Sequence, residues 1–188
     1  MEEKIRVQLI EHVKLVDFIL NNQVDKIIEL SQIVFDCLRS GNKLIIFGNG
    51  GSAADAQHLA AEFTGRFIKE RKGLAAIALT TDTSALTAIG NDFGFHRIFE
   101  RQVEAIANRG DVLIGISTSG NSLNVLNGIE LGNKIGCRTI SFTGNDGGEL
   151  IKLSELNINI NSYSTARIQE LHIIVGHLLC YLIDEKFT

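Results

Sequence analysis

Short apolar runs alternate with helical stretches through most of this 188-residue chain, and nearly every run ends in a turn rich in glycine or hydroxyl side chains. Apolar strands separated by helices are typical of a parallel sheet that is buried between two helical layers. The pattern therefore predicts an α/β fold, a three-layer sandwich with a mainly parallel sheet. The predicted strands are Lys43 to Phe47, Ala75 to Leu79, Val112 to Ile116, Thr139 to Phe142 and, more weakly, Leu156 to Ile160.

Helical periodicity predicts the elements around these strands. Two amphipathic helices lead the chain, and one long apolar helix closes it at about Thr165 to Phe187. The last helix is more apolar than one narrow stripe requires, so we expect it and the leading helices to be buried against another subunit. The other predicted helices are about Val7 to Leu20, Gln23 to Arg39, Ser52 to Thr64, Phe95 to Ala107 and Leu123 to Leu131.

Length and composition restrict the domain organisation and the partners. The chain suffices for one substantial core, so we expect a single domain over residues 1–188, with helices in 1–40 used in oligomerisation and the core in 41–188. The net charge of -4 and the lack of a basic run argue against nucleic acid or a membrane surface as a partner. The apolar runs are strand-sized, the first residues resemble no signal peptide, and the three cysteines form no CxxC pair. We therefore expect a cytoplasmic protein.

Two polar turns lie where a predicted strand passes into a helix, at Gly48 to Ser52 and at Ser117 to Ser122. Unpaired N–H groups at a helix N-terminus attract anions, and the second turn adds four hydroxyl groups in six residues. We predict a phosphate site at the second turn, whereas a simple helix cap explains the first turn equally well. The first turn also approximates a dinucleotide fingerprint, but no acidic residue ends the next strand at the required distance.

A second group of polar residues lies on two predicted helices. His58 and Glu62 are one helical turn apart, so an imidazole and a carboxylate can share a metal ion there. Gln169, His172 and His177 on the last helix are further candidates, and spacing does not choose between the two histidines. Gln169 and His177 are about 12 Å apart along a helix, so they meet one ion only if it lies between them or if different subunits contribute. For any single histidine, a hydrogen-bonded position at the core edge is the simpler interpretation.

Four segments carry a family resemblance, in matching order: GNGGSAADAQHLAAEFTGRF at 48–67, IGNDFGF at 89–95, DVLIGISTSGNS at 111–122 and ARIQELHIIVGH at 166–177. Together they resemble the phosphoheptose isomerases of the SIS (sugar isomerase) domain superfamily, over nearly the whole chain. The resemblance implies an SIS-type, flavodoxin-like fold and a homotetramer with sites between subunits. It also implies conversion of D-sedoheptulose 7-phosphate to D-glycero-D-manno-heptose 7-phosphate through an enediol, the first step of nucleotide-activated heptose biosynthesis for lipopolysaccharide or capsule.

The resemblance further implies residue roles. One zinc ion per site is held by His58, Glu62, Gln169 and His177, which selects His177 over His172. Glu62 moves the proton between C1 and C2, and His177 handles the oxygen protons. One carboxylate cannot be a tight ligand and a free base at once, so either Glu62 loosens from the ion or the ion is partly structural. The implied substrate-binding residues are Asn49, Gly50, Gly51, Ser52, Arg66, Asn91, Asp92, Ser117, Thr118, Ser119, Ser122 and Gln169.

Two other functions stay open at this point. Non-catalytic SIS-domain proteins that bind the replication initiator share the glycine turn, but they typically lack the counterparts of Glu62 and His177 that this chain has. An isomerase or sensor of a different sugar phosphate would share the phosphate turn, and only substrate tests separate it from a heptose isomerase.

Overall fold

The computed structural model describes residues 1–188 and contains one five-stranded, fully parallel sheet with the order β2-β1-β3-β4-β5. Because the strand order changes direction at β1, the turns that follow β1 and β3 open into one crevice at the carboxyl edge of the sheet. The predicted parallel sheet is confirmed. The strands are β1 (Leu44–Gly48), β2 (Ala76–Ala78), β3 (Val112–Ser117), β4 (Arg138–Gly144) and β5 (Leu156–Ile160).

Eight α-helices surround this sheet, and the last one coincides with its predicted range. The predicted helix at Phe95 begins instead as a 3₁₀ turn, Phe95–Arg97, and becomes α-helical at Ile98. The helices are α1 (Glu2–Asn22), α2 (Val24–Arg39), α3 (Gly51–Thr64), α4 (Thr83–Phe93), α5 (Ile98–Ile106), α6 (Leu123–Ile135), α7 (Leu150–Leu153) and α8 (Thr165–Phe187).

The sequence analysis missed α4, and the reason lies in its composition. The helix is 11 residues long and buries no residue fully. Its apolar stripe is short, Leu86, Ile89 and Phe93, with Leu86 and Ile89 only half-buried, and the Thr, Ser, Gly and Asn residues between them weaken the helical pattern. Its N-cap is Asp82, whose side chain accepts a hydrogen bond of 2.9 Å from the Ala85 N–H. Asp82, the acidic residue that follows β2, is therefore a helix cap.

Two apolar clusters fill the two faces of the sheet. Residues of β1 alternate between them, with Leu44 and Ile46 facing α2, α3 and α8, while Ile45 and Phe47 face α5 and α6. By length and mean hydropathy, α8 could cross a membrane, although we expected only strand-sized apolar runs. However, α8 packs against α2, α3 and β4, and a core helix passes the same test. This packing places one face of α8 beside α3, which carries His58 and Glu62.

Candidate active site

The two polar turns lie side by side because β1 and β3 are paired neighbours, with Gly48 opposite Ile116. Close packing restricts the first of them, Gly48 to Ser52, which we call the glycine turn, to small residues. A Cβ at Gly48 would lie 2.8 Å from both the Ile116 carbonyl oxygen and the Ser52 Cβ. Gly50 has a φ of +57°, which favours glycine, and a Cβ at Gly51 would lie 2.5 Å from the Gln169 Nε2. The glycine turn is therefore packed against β3 on one side and against α8 on the other.

The second polar turn, Ser117 to Ser122, which we call the hydroxyl turn, brings three serine hydroxyls close together. The Ser117 Oγ lies 2.9 Å from the Ser122 Oγ and 3.4 Å from the Ser119 Oγ. Ser122 is the N-cap residue of α6, but its side chain makes no capping hydrogen bond. The helix therefore presents uncapped N–H groups beside three hydroxyls, which is the arrangement that binds a phosphate. Thr118 lies half-buried in the same turn.

A neighbouring loop holds this turn in place, and the sequence analysis did not foresee it. Gly120 has a φ of +67°, and a Cβ there would overlap the Gly147 carbonyl oxygen. The Gly120 carbonyl accepts a 3.0 Å hydrogen bond from the Leu150 N–H, and the Asn121 side chain accepts one of 3.0 Å from the Glu149 N–H. The segment 147–150 therefore supports the hydroxyl turn from behind.

Asn124 is a site residue that the sequence analysis missed. Its side chain is buried at 4% exposure and forms two reciprocal amide hydrogen bonds of 2.9 Å with Asn49. The pair joins the glycine turn directly to the first turn of α6. An Asn near a helix start usually acts as a cap, so no pattern in the chain singled out Asn124.

His58, Glu62 and His177 form a second cluster, which we call the histidine cluster. The His58 Nε2 lies 3.2 Å from the Glu62 Oε1 and 3.2 Å from the His177 Nε2. The side chains of His58 and Glu62 are 47% and 25% exposed, so the cluster is open to a ligand. The ring of Phe67 lies against the His177 ring, with centroids 5.5 Å apart.

The donor types and spacing of the histidine cluster fit a divalent metal. Two ligands of a tetrahedral zinc ion lie about 3.3 Å apart, given Zn–N distances of about 2.0 to 2.1 Å. Both contacts of the His58 Nε2 match that separation. Two imidazoles and one carboxylate are also a common catalytic zinc set. However, Glu62 and His177 make no mutual contact, and no three such groups surround a common point. The cluster therefore has the right donors and must close slightly to hold an ion.

Gln169 lies apart from the histidine cluster within one chain. Its amide packs against Gly51, while His177 lies against His58. Gly51 and His58 are about 10 Å apart along α3 at the usual helical rise. The structure therefore places the Gln169 amide at the glycine turn, beside the crevice between the two turns.

His172 is a core residue. Its exposure is 1%, its Nε2 lies 2.9 Å from the Thr143 carbonyl oxygen, and its Nδ1 has no partner. Burial lowers the pKa of His172 to about 4, so the ring is neutral and Nε2 donates to the carbonyl. His177, and not His172, lies beside His58.

Three predicted substrate contacts, Arg66, Asn91 and Asp92, are exposed side chains. Arg66 is exposed after the end of α3 and forms no ion pair. Asn91 and Asp92 are exposed near the end of α4, where the Asn91 Nδ2 donates to the Asp92 Oδ1 at 2.8 Å. Within one subunit, no hydrogen bond joins these side chains to either turn.

Comparison with known proteins identifies the family of the chain. The SIS domain family matches residues 10–144. The chain is 50% identical to the phosphoheptose isomerase of Aliarcobacter butzleri over 100% of both chains, and 57% identical to the probable phosphoheptose isomerase of Thermoplasma acidophilum over 89% and 92% of the two chains. The solved phosphoheptose isomerase of Neisseria gonorrhoeae superposes with a TM-score of 0.93 at 42% identity, over 98% of each chain. The chain therefore belongs to the phosphoheptose isomerase family of SIS-domain proteins.

Proposed function

We propose that this chain converts D-sedoheptulose 7-phosphate to D-glycero-D-manno-heptose 7-phosphate, which is then used to make nucleotide-activated heptose. The observation that carries the proposal is the presence of a carboxylate and an imidazole, Glu62 and His177, around His58. They lie on a fold in which β3, the sheet neighbour of β1, ends in the hydroxyl turn. An aldose–ketose isomerase needs these elements: an anion site for the phosphate, a base for the carbon proton and an acid for the oxygen protons.

The hydroxyl turn binds the phosphate group of the substrate. Ser117, Ser119 and Ser122 supply hydroxyl donors, and the start of α6 supplies N–H groups with a positive dipole end. Fixing the phosphate positions the reacting end of the sugar relative to the helices that carry the base. The sugar end is bound at the glycine turn by Asn49, Gly50, Gly51, Ser52 and Gln169. Thr118 contributes from the hydroxyl turn, and the exposed residues Arg66, Asn91 and Asp92 complete the substrate contacts.

Glu62 acts as the base that moves the carbon proton. Its carboxylate removes a proton from C1 of the ketose, and the C1–H electron pair forms the C1–C2 double bond of the enediol. The same carboxylate returns the proton to C2, which leaves an aldehyde at C1. His177 protonates the oxygen at C2 as the enediol forms and accepts the proton from the oxygen at C1 as it collapses.

A zinc ion fits the same cluster. His58, Glu62 and His177 would hold it, with Gln169 as the fourth ligand implied by the family resemblance. Glu62 would then act as the base only when it loosens from the ion. When bound, zinc stabilises negative charge on the oxygens of the enediolate. Because Gln169 of the same chain lies at the glycine turn, it completes this set only by moving or from another subunit.

We further propose a homotetramer, in which residues 1–40 contribute to the interfaces. An apolar groove of about 470 Å³ lies between α1, α2 and α8, and ten apolar residues line it. One face of α1 adds exposed apolar residues that include Leu9, Ile10 and Val13. Apolar patches of this kind mark protein interfaces. The three cysteines are free and buried, which supports a reducing compartment such as the cytoplasm.

Turnover by the purified protein tests the proposal. Sedoheptulose 7-phosphate is supplied before and after chelator treatment, and again with zinc restored, while the aldose product is followed. We expect conversion that the chelator abolishes and zinc restores. Conversion that is insensitive to thorough chelation contradicts the metal assignment. An absence of conversion with zinc present, together with turnover of another sugar phosphate or binding to a replication initiator, contradicts the function.

A further inference from the structure

Asp184 is a buried carboxylate near the end of α8, at 1% exposure. Its Oδ2 accepts hydrogen bonds from the Ile68 N–H at 2.8 Å and the Lys69 N–H at 2.9 Å. Its Oδ1 accepts one of 2.7 Å from the Arg71 Nε, and the Arg71 side chain is 3% exposed. The hydrogen bonds satisfy both charged groups of this pair. Because burying two charges is costly, the pair is nevertheless weak evidence of added stability.

Arg71 also caps the helix that carries the proposed base. Its NH2 group donates to the Glu62 carbonyl oxygen at 3.0 Å, and its NH1 group donates to the Phe63 carbonyl oxygen at 2.9 Å. These carbonyls belong to the last turn of α3, where no intrahelical donor remains for them. A planar guanidinium can reach Asp184 and both carbonyls at once, which a single ammonium group cannot do in the same geometry.

The same pair fixes the loop that faces the other proposed catalytic residue. The loop between α3 and β2 contains Arg66 and Phe67, and the Phe67 ring lies against the His177 ring. The Ile68 N–H, which Asp184 binds, belongs to the residue after Phe67. One buried ion pair therefore holds both the Glu62 backbone and the ring that packs on His177.

From these contacts we propose that Arg71 and Asp184 are positioning residues for isomerisation, which set the relative placement of Glu62 and His177. The inference rests on the proposed function. Neither residue lies in the histidine cluster or in either polar turn, so both act through the end of α3 and the loop after it. A shift of about 1 Å in a reacting group can cost on the order of 100-fold in rate.

A second buried ion pair provides a matched control. Asp111 is also 1% exposed, accepts hydrogen bonds from two backbone N–H groups, those of Lys43 and Asn108, and pairs with the Lys43 Nζ at 2.7 Å. It lies at the amino edge of the sheet, opposite the site. Asp184→Asn and Asp111→Asn therefore each remove one buried carboxylate charge that accepts two backbone N–H groups, although Lys43 is 27% exposed and Arg71 only 3%. Only Asp184 contacts the segment beside the site.

The test measures the Tm of both variants by thermal unfolding. It then measures kcat and KM at a temperature where each variant is fully folded. The proposal predicts that Asp184→Asn lowers kcat by about tenfold or more and changes KM less than about threefold, while Asp111→Asn lowers the Tm without changing kcat. Equal losses of kcat in the two variants, or an Asp184→Asn enzyme with wild-type kcat, overturn it. Wild-type turnover in the same assay separates this result from a failure of the proposed function.

Arg71→Lys serves if Asp184→Asn does not fold, since it keeps the charge beside Asp184. It should fold and still lose kcat, because lysine cannot donate to Asp184 and both carbonyls together. A wild-type kcat in Arg71→Lys contradicts the positioning role. Amide hydrogen exchange gives a readout independent of activity: the Ile68 and Lys69 N–H groups should exchange faster in Asp184→Asn, and unchanged exchange there also contradicts the role.

Discussion

Replacing Gly51 with alanine should separate stability from activity. Gly51 is the first residue of α3 and has no positive φ, so an alanine backbone fits there and should leave stability unchanged or raise it by about 0.5 kcal/mol. The new Cβ would lie 2.5 Å from the Gln169 Nε2 and 2.8 Å from its Cδ. These atoms end a flexible side chain, so the amide turns away while the backbone stays.

The loss of activity follows from the loss of the Gln169 amide at the glycine turn. One hydrogen bond is worth about 1 kcal/mol, so kcat/KM should fall roughly fivefold in Gly51→Ala. Gly48→Ala is the matched control: its Cβ would lie 2.8 Å from the Ile116 carbonyl oxygen, which cannot move aside, so unfolding free energy should fall by about 1 to 3 kcal/mol.

Urea unfolding and steady-state kinetics of both variants provide the assay. In a Gln169→Ala background, Gly51→Ala should have no further effect on kcat/KM, since the group that it displaces is gone. A wild-type kcat/KM in Gly51→Ala, or a further fivefold loss in the Gln169→Ala background, would refute the reasoning.

Four other predictions concern separate parts of the molecule. Ser119→Ala should raise KM for the sugar phosphate several-fold, as measured by initial rates, with little change in Tm. Asn124→Ala leaves Asn49 without its partner and should lower kcat/KM, whereas a variant with wild-type kinetics would show that the amide pair is not needed. Burial lowers the pKa of His172 from its ordinary 6.5 to about 4, so the unfolded chain binds more protons between these pH values. The contribution of His172 to stability is complete above pH 6.5 and falls by at most about 3 kcal/mol toward pH 4. Urea unfolding across this pH range should therefore give a flatter stability profile for His172→Gln than for wild type. Ile28→Asp, in the apolar groove, should dissociate the oligomer in light scattering, while Ile151→Asp, exposed to a similar degree elsewhere, should not.

Local patterns in the sequence predicted the sheet and most helices because each element is recognised by the spacing of apolar residues within a single segment. The strand β5 and the helix α8 coincide with their predicted ranges, since each has an apolar pattern bounded by polar turns. The helix α4 was missed because its apolar stripe, which includes Leu86 and Ile89, is short and only half-buried.

The site was predictable only where its chemistry is carried by residues close in sequence. His58 and Glu62 are one helical turn apart, and the serines of the hydroxyl turn fall within six residues. By contrast, the contact of His177 with His58 spans 119 positions, and Asn49 and Asn124 are 75 apart, so only the packing of α8 on α3 and the pairing of β1 with β3 bring them together. Spacing alone could not choose His177 over His172, whereas the family resemblance did, and the structure places His177 beside His58.

The most direct test of the account is isomerisation in deuterium oxide with wild type and Glu62→Gln. An enediol formed by a carboxylate that exchanges its proton with solvent predicts deuterium at C2 of the aldose made by wild type, and no turnover by a Glu62→Gln protein that keeps its oligomeric state. Undiminished turnover by Glu62→Gln, or wild-type product entirely free of deuterium at C2, would contradict solvent-exchanging proton transfer by Glu62.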